Sequence, residues 1–142
     1  MFRNILVAVK FTPASRFAAQ KSAALAKIHG AGLRVFHCQD YQLTRLEGSH
    51  PDRIAARDAA HRRYQTDIEP LLGGLAEVVF ETHPGDPAMS VCRVARESSA
   101  DLIILGCHQP ARKLSLGRVN YVGITILEKA PCPVMLIPLS DD

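Results

Sequence analysis

The fold class follows from Ile5-Leu6-Val7-Ala8-Val9, five apolar residues of which three are branched at Cβ. Such a run is too short for a helix of its own and is typical of a parallel strand that is buried on both faces. Thr12 and Pro13 come next and predict a helix cap with a preset first turn. The apolar residues that follow recur at helical spacing as far as Gly30, a left-handed stop. A second strand, Leu33–Cys38, completes a β-α-β unit.

The same alternation continues to the end of the chain. Three further strands are predicted, at Ala76–Thr82, Asp101–Gly106 and Pro131–Pro138. Three further helices are predicted, over Arg53–Leu72, from Asp86-Pro87 through Ser98, and over Val119–Lys129. Pro70 should kink or end the first of these helices. Polar segments at Gln39–Pro51 and Gln109–Leu116 are predicted as loops, the second of them basic.

Five strands that alternate with four helices predict one domain over residues 1–142, with a parallel sheet and helices on both faces. The pattern leaves two strand orders open, 2-1-3-4-5 and 3-2-1-4-5. In either order a ligand should bind in the crevice beyond the carboxyl ends of the strands. The candidate residues are those that follow each strand, at Lys10–Thr12, His37–Asp40, His83–Asp86 and Gly106–Gln109.

Composition excludes several classes of protein. The chain has 142 residues, of which 47% are hydrophobic and 22% charged, with a net charge of +3. Disordered and nucleic-acid-binding chains are more strongly charged. With 6% aromatic residues and no Trp, a base-stacking surface is not expected either. No apolar run approaches the roughly 20 residues of a membrane span. The N-terminal run is interpreted as a strand rather than a signal peptide, so a cytoplasmic protein is expected.

Four fragments, in this order, resemble the universal stress protein (UspA) family over essentially the whole chain. They are Asn4-Ile-Leu-Val-Ala-Val9, Val35-Phe36-His37, Asp101-Leu-Ile-Ile-Leu-Gly-x-His108 and Leu127-Glu-Lys-Ala-Pro-Cys-Pro-Val-Met-Leu-Ile-Pro138. The last fragment is the most specific. The resemblance implies a 3-2-1-4-5 sheet of the adenine nucleotide alpha hydrolase-like type. It also implies a cytoplasmic stress-response protein that usually forms a homodimer through its last strand.

Some members of this family bind ATP or AMP, and the resemblance implies which residues would do so here. Binders carry Asp at the end of the first strand, where this chain has Lys10. By family position, the backbone of Cys38 would lie beside the adenine ring. After the fourth strand, binders carry Gly-x-x-Gly and then Gly-Ser/Thr, whose amides and hydroxyl hold phosphate. Gly106 matches the first glycine, but Gln109 replaces the second.

The remaining motif positions also depart from the binders. The third glycine falls on Val119 or Asn120, depending on the direction of counting, and Tyr121 takes the hydroxyl position. Gly117 precedes the position expected for the third glycine, and it is followed by Arg118 instead of Ser or Thr. In addition, Gly106-Cys107-His108-Gln109 resembles the Gly-His-His-Gln of UspA-type members that lack nucleotide binding. We therefore expect no cofactor and a degenerate nucleotide site.

The charge at the predicted crevice supports an alternative. Lys10, Arg112, Lys113 and Arg118 could attract ATP, AMP or another anion without a glycine loop. The simpler interpretation of the same residues is a solvated basic loop.

Two other kinds of site were considered and are not expected. His37, Cys38, Cys107 and His108 are residue types that bind zinc. With the first strand between them, the two pairs should lie about 9–10 Å apart, too far for a disulfide and awkward for a tetrahedral metal site. The four cysteines are widely spaced along a chain that is expected to be cytoplasmic, so they are interpreted as reduced thiols. The chain also lacks the common catalytic motifs, and a helix cap explains Asp86, so no enzymatic activity is expected.

The last strand is the strongest interaction feature of the sequence. Val134-Met-Leu-Ile137 is apolar and lies near the end of the sequence. A bare apolar edge strand invites pairing with another chain. A homodimer paired through Val134, Met135, Leu136 and Ile137 is therefore expected.

Overall fold

The computed structural model describes residues 1–109 and 121–140. The strands are β1 (Asn4–Ala8), β2 (Gly32–Gln39), β3 (Val78–Pro84), β4 (Leu102–Gln109) and β5 (Val134–Ser140). The α-helices are α1 (Pro13–His29), α2 (Pro51–Arg63), α3 (Pro87–Glu97) and α4 (Tyr121–Lys129). Three shorter turns of helix occupy Tyr41–Arg45, Tyr64–Ile68 and Glu69–Leu72. None of the helices within these residues is long and apolar enough to cross a membrane.

The five strands form one parallel sheet in the order β3-β2-β1-β4-β5, which confirms the predicted fold and decides between the two candidate orders. Val7 at its centre pairs with Val35 of β2 and with Ile104 of β4. One core cluster packs α1 and the segment after α2 against one face of the sheet, and a second cluster packs α3 and α4 against the other. The first apolar run is therefore buried on both faces, as its composition predicts.

The predicted helix caps are present. Thr12 Oγ1 accepts a hydrogen bond from the Ser15 amide at 3.2 Å, and Gly30 ends α1 with φ +64°. Asp86 Oδ2 accepts from the Met89 amide at 3.0 Å and begins α3. Each cap satisfies a first-turn amide that has no partner inside its own helix.

The second helix differs from its prediction at both ends. It begins at Pro51 rather than Arg53, because His50 Nδ1 accepts from the Asp52 amide at 3.0 Å and acts as the cap. After Arg63 the chain continues as a π-helical turn, Tyr64–Ile68, and then as a 3₁₀ turn, Glu69–Leu72. Pro70 accounts for the change, since it has no amide to donate and its ring clashes with the carbonyl one turn earlier. The predicted loop before this helix also contains a 3₁₀ turn, Tyr41–Arg45.

The carboxyl ends of four strands extend further than predicted. Gly106–Gln109 belongs to β4 and pairs with Ile137–Ser140 of β5, so these residues do not follow the strand. Likewise, β2 and β3 pair as far as Gln39 and Pro84. Only β1 stops early, at Ala8. Beyond the end of β1, the paired strands β2–β3 and β4–β5 satisfy each other's backbone N–H and C=O groups. The apolar pattern of the sequence alone could not indicate this pairing. The predicted start of the last helix at Val119 lies outside the described residues.

Candidate ligand crevice

A cavity of about 670 Å³ opens at the carboxyl end of the sheet. It lies where β1 ends, between the first turn of α1 and the sheet face covered by α3 and α4. Four of the predicted site residues line it, namely Lys10, Cys38, Gly106 and His108. The structure therefore brings together residues from three strand ends that are far apart in the sequence.

The other predicted site residues are described in part or not at all. Gln109 ends β4 and Tyr121 begins α4, but their side chains are outside the description. Gly117, Arg118 and Asn120 lie outside the described residues, as do Arg112 and Lys113.

Gly106 lies against the beginning of α1. A Cβ atom built on Gly106 would be 2.4 Å from the carbonyl oxygen of Ala14 and 3.1 Å from the amide nitrogen of Ser15. A Cβ contact of 2.4 Å is shorter than real Cβ atoms show, so a side chain at this position would force α1 away from β4. Close packing thus accounts for Gly106 without any phosphate.

Lys10 is the second residue after β1 and is exposed. Its amide donates to Ser15 Oγ at 3.0 Å, which ties the loop to the first turn of α1. Among the residues that the structure describes, its ammonium group forms no salt bridge. Among the described residues, Lys10 therefore places an exposed positive charge at the rim of the crevice.

Phe11 is a residue that sequence reasoning missed. It has φ +62°, a left-handed conformation that is costly for a residue with a Cβ atom. Its ring is 4.7 Å from the His37 ring and 4.9 Å from the Arg63 guanidinium carbon. These contacts anchor the loop on the sheet face opposite the crevice. The sequence gives no local signal for this conformation, because a left-handed turn usually carries Gly or Asn.

The thiol of Cys38 is held inside the crevice. Its Sγ donates to the carbonyl oxygen of Gly85 at 3.2 Å. Burial raises the pKa of Cys38, and this outweighs the lowering effects of a hydrogen bond with Ser90 and of nearby Arg93 and Lys10. The group is consequently a protonated thiol at neutral pH and a poor nucleophile.

Of the four residues considered as zinc ligands, Cys38, Cys107 and His108 line the crevice, whereas His37 lies on the other face of the sheet. His37 Nδ1 donates to the Val9 carbonyl oxygen at 3.0 Å, and its ring faces Phe11. Cys38, the next residue on the strand, packs with the core on the opposite face. Burial lowers the pKa of His37, and the charge of Arg63 adds to this effect against the hydrogen bond to Val9. In the two described ranges, no three His, Cys, Asp or Glu residues are grouped as a metal site.

A polar cluster on β2 and β3 was also missed. Glu81 accepts from Arg34 Nη1 at 2.6 Å and is hydrogen-bonded to His83 Nε2. Burial acts to raise the pKa of Glu81, but the hydrogen bond and charge of His83 and the charge of Arg34 outweigh it and lower that pKa. Because side chains alternate along a strand, Glu81 and His83 lie on the same face of β3. This spacing is the sequence feature from which their contact could have been predicted.

The sheet order and the crevice define an α/β protein with the adenine nucleotide alpha hydrolase-like fold. The family model described as the universal stress protein family matches residues 1–138, and the chain belongs to this family. Universal stress protein Sll1654 of Synechocystis sp. is 30% identical over 149 residues, which span 97% of this chain and 87% of that protein.

Two solved structures with lower identity share the fold. Universal stress protein UspA from Lactobacillus plantarum is 22% identical with a TM-score of 0.71, and the match covers 95% of this chain and 97% of that chain. The universal stress protein from Archaeoglobus fulgidus in complex with dAMP is 18% identical with a TM-score of 0.65, over 95% of this chain and 97% of that chain.

Proposed function

We propose that this universal stress protein is a non-enzymatic, cytoplasmic homodimer that lacks the family's phosphate cradle and acts through contacts with other proteins. The proposal treats residues 1–142 as one domain. The observation that carries the functional proposal is the close approach of Gly106 to the Ala14 carbonyl oxygen. Gly106 is the one motif glycine that the chain keeps, and packing against α1 accounts for it. Gln109 and Asn120 bear side chains at the other positions, where backbone amides would have to approach phosphate closely.

The geometry of the crevice supports the non-enzymatic part of the proposal. Cys38 is a protonated thiol whose Sγ is used in a hydrogen bond to Gly85. Ser15 Oγ accepts from the Lys10 amide, and no histidine is among its recorded partners within the described residues. A hydroxyl or thiol needs an adjacent base to act as a nucleophile, and within residues 1–109 and 121–140 neither group is hydrogen-bonded to one.

The last strand supports the homodimer. β5 is an edge of the sheet, and its residues Val134–Ile137 are all apolar. Met135 is 39% exposed in the single chain. Pairing with a second copy would satisfy the open backbone groups of this edge and cover its apolar side chains.

A second candidate function is the binding of ATP, AMP or another anion in the same crevice. The cavity of about 670 Å³ and the exposed Lys10 at its rim favour it. The Archaeoglobus fulgidus relative is described in complex with dAMP, so a nucleotide is the first ligand to test.

Native mass spectrometry of the purified protein, before and after addition of Mg-ATP or Mg-AMP, distinguishes the two. We expect a dimer mass that does not change in excess nucleotide. A nucleotide-binding member of the family, treated in the same way, is the positive control. One nucleotide mass per chain would contradict the degenerate-site proposal, and a monomer mass at micromolar concentration would contradict the homodimer.

A further inference from the structure

We propose that the crevice binds a small amphipathic monoanion, such as a medium-chain carboxylate, with its tail on the apolar floor and its head group at Lys10. This goes beyond the proposed function, since it assigns a ligand class to a site that has lost the phosphate cradle. Three observations lead to it: the character of the floor, the state of the polar groups at the rim, and the balance of charge.

The floor of the crevice is apolar. The apolar lining residues that are not already fully buried in the core include Ala8, Pro13, Pro87, Val122 and Leu136. The crevice volume of about 670 Å³ lies within the range of small-molecule sites, roughly 300–1,000 Å³. Such a surface binds a ligand mainly by removing apolar area from water, which favours an alkyl or similar tail.

Three polar side chains at the rim form hydrogen bonds within the protein, two of them as acceptors and one as a donor. Ser15 Oγ accepts from the Lys10 amide at 3.0 Å, and Thr12 Oγ1 accepts from the Ser15 amide at 3.2 Å. Cys38 Sγ donates to Gly85 at 3.2 Å. The hydroxyls of Ser15 and Thr12 act as acceptors in these bonds and keep their O–H groups, which can donate to the oxygens of an anionic head group.

The charge of the lining selects an anion. Among the lining residues that the structure describes, none is acidic and Lys10 is the one with a permanent positive charge. Its ammonium group has no salt bridge within the described residues. The Lys10 ammonium group can form a charge-assisted hydrogen bond with a carboxylate, which would hold that end of the ligand at the rim.

Isothermal titration of the intact protein with hexanoate, octanoate and decanoate, each below its micellar concentration, tests the proposal. Affinity should rise about fourfold for each added CH₂, which corresponds to ~0.8 kcal/mol per buried methylene. Decanol tests the tail without the charge, and decyltrimethylammonium tests the opposite charge. Absence of binding, no dependence on chain length, or equal affinity for the cationic amphiphile would overturn the proposal.

Two variants separate the head group from the tail. Lys10→Met should weaken decanoate about tenfold and leave decanol unchanged, because one charge-assisted contact is lost. Lys21→Met, which removes an exposed lysine of α1 distant from the crevice, is the matched control. Val91 of α3 lines the cavity, so Val91→Phe should fill it and weaken both ligands. If Val91→Phe does not fold, the Lys10→Met comparison still decides, since equal loss of decanoate and decanol would overturn the head-group assignment.

A parallel titration with Mg-ATP keeps this proposal separate from the preceding one. If ATP and decanoate both fail to bind, the ligand class is wrong while the degenerate-site proposal stands. If ATP binds and decanoate does not, both are wrong. Binding of decanoate alone supports both.

Discussion

At the scale of single residues, Gly106 shows how a motif residue can have a structural cause. The family pattern assigns this glycine to phosphate binding, whereas in the fold its missing side chain leaves space for the Ala14 carbonyl. The two explanations differ in what they predict for a substitution. A phosphate-binding glycine could be replaced at a cost to ligand affinity, but a packing glycine could not be replaced without a cost to folding.

We therefore expect Gly106→Ala to lower the free energy of unfolding by about 1–3 kcal/mol, the usual cost of overpacking a tight contact. Urea denaturation followed by circular dichroism measures it. Gly48→Ala is the matched control, because a Cβ on Gly48 meets nothing within 4 Å, and its effect should stay within about 0.5 kcal/mol. Equal urea midpoints for Gly106→Ala and Gly48→Ala would show that α1 can move to make room for the added methyl group at little cost in stability. Packing would then not explain Gly106.

The role of a residue could be predicted where the neighbouring sequence indicates it, and could not be predicted where it depends on contacts with distant residues. Thr12 and Asp86 precede a proline and an apolar helical period, and both are caps in the structure. His50 also precedes a proline and caps α2, but histidine is uncommon as a cap and was passed over. Phe11 has φ +62° because contacts with His37 and Arg63 hold it, and such distant contacts leave no local signature.

At the scale of elements, the edge strand β3 is protected by charge. Glu81 on β3 contacts Arg34 of β2 and His83 two residues further along the strand. Charged side chains on an edge strand discourage pairing with other chains, and this pair also ties the edge to its neighbour. β3 thus differs from β5, whose residues Val134–Ser140 include no charged side chain.

The lowered pKa of Glu81 predicts a pH dependence for this element. A carboxyl group whose pKa is lower in the folded state stabilises the fold above its unfolded pKa, and the contribution is lost as pH falls through the folded value. We expect Glu81→Gln to destabilise the protein by about 1 kcal/mol at pH 7, since the pair is partly exposed. The difference should shrink as pH falls below about 4.5, the ordinary value for Glu.

Thermal or urea denaturation of both proteins between pH 3 and 7 measures this difference. Glu97→Gln is the control, because Glu97 pairs with Arg93 at 3.2 Å on the surface of α3 with 62% of its side chain exposed. A difference for Glu81→Gln that stays constant across the pH range would mean that the charge of Glu81 is not what stabilises the edge.

Elements were easier to predict than their ends. The five apolar runs are all strands, because each is too short for a helix and is bounded by turn residues. Their carboxyl ends were placed too early at Gly106 and Cys38, since pairing between neighbours, rather than apolar composition, keeps β4 and β2 extended. The second helix was predicted over Arg53–Leu72 with a kink or end at Pro70. Its α-helical part ends earlier, at Arg63, and is followed by a π turn and by the 3₁₀ turn that contains Pro70.

At the scale of the whole molecule, the sheet order determines where the crevice and the free edges lie. β1 is central and ends first, so the cavity opens above it between the longer strands. The order itself came from the family resemblance and could not come from periodicity, which is the same for both candidate orders. Position at the strand ends predicted part of the lining, at Lys10, Thr12, Cys38 and Gly106–His108, whereas the candidate range His83–Asp86 does not line the crevice. The hydrogen bonds of the lining could not be predicted, because they depend on how the loops and helices pack.

The two edges of the sheet lead to the last prediction, which concerns assembly. Met135 lies on β5 and is 39% exposed, while Met89 lies on α3 and is 49% exposed. If β5 pairs across a two-fold axis, Met135→Lys buries a charge in the interface and should raise the dimer dissociation constant about 100-fold or more, whereas Met89→Lys should leave it unchanged. Light scattering over a dilution series measures both. An unchanged dimer for Met135→Lys would move the interface away from β5, and equal weakening by both variants would point to a general loss of folding.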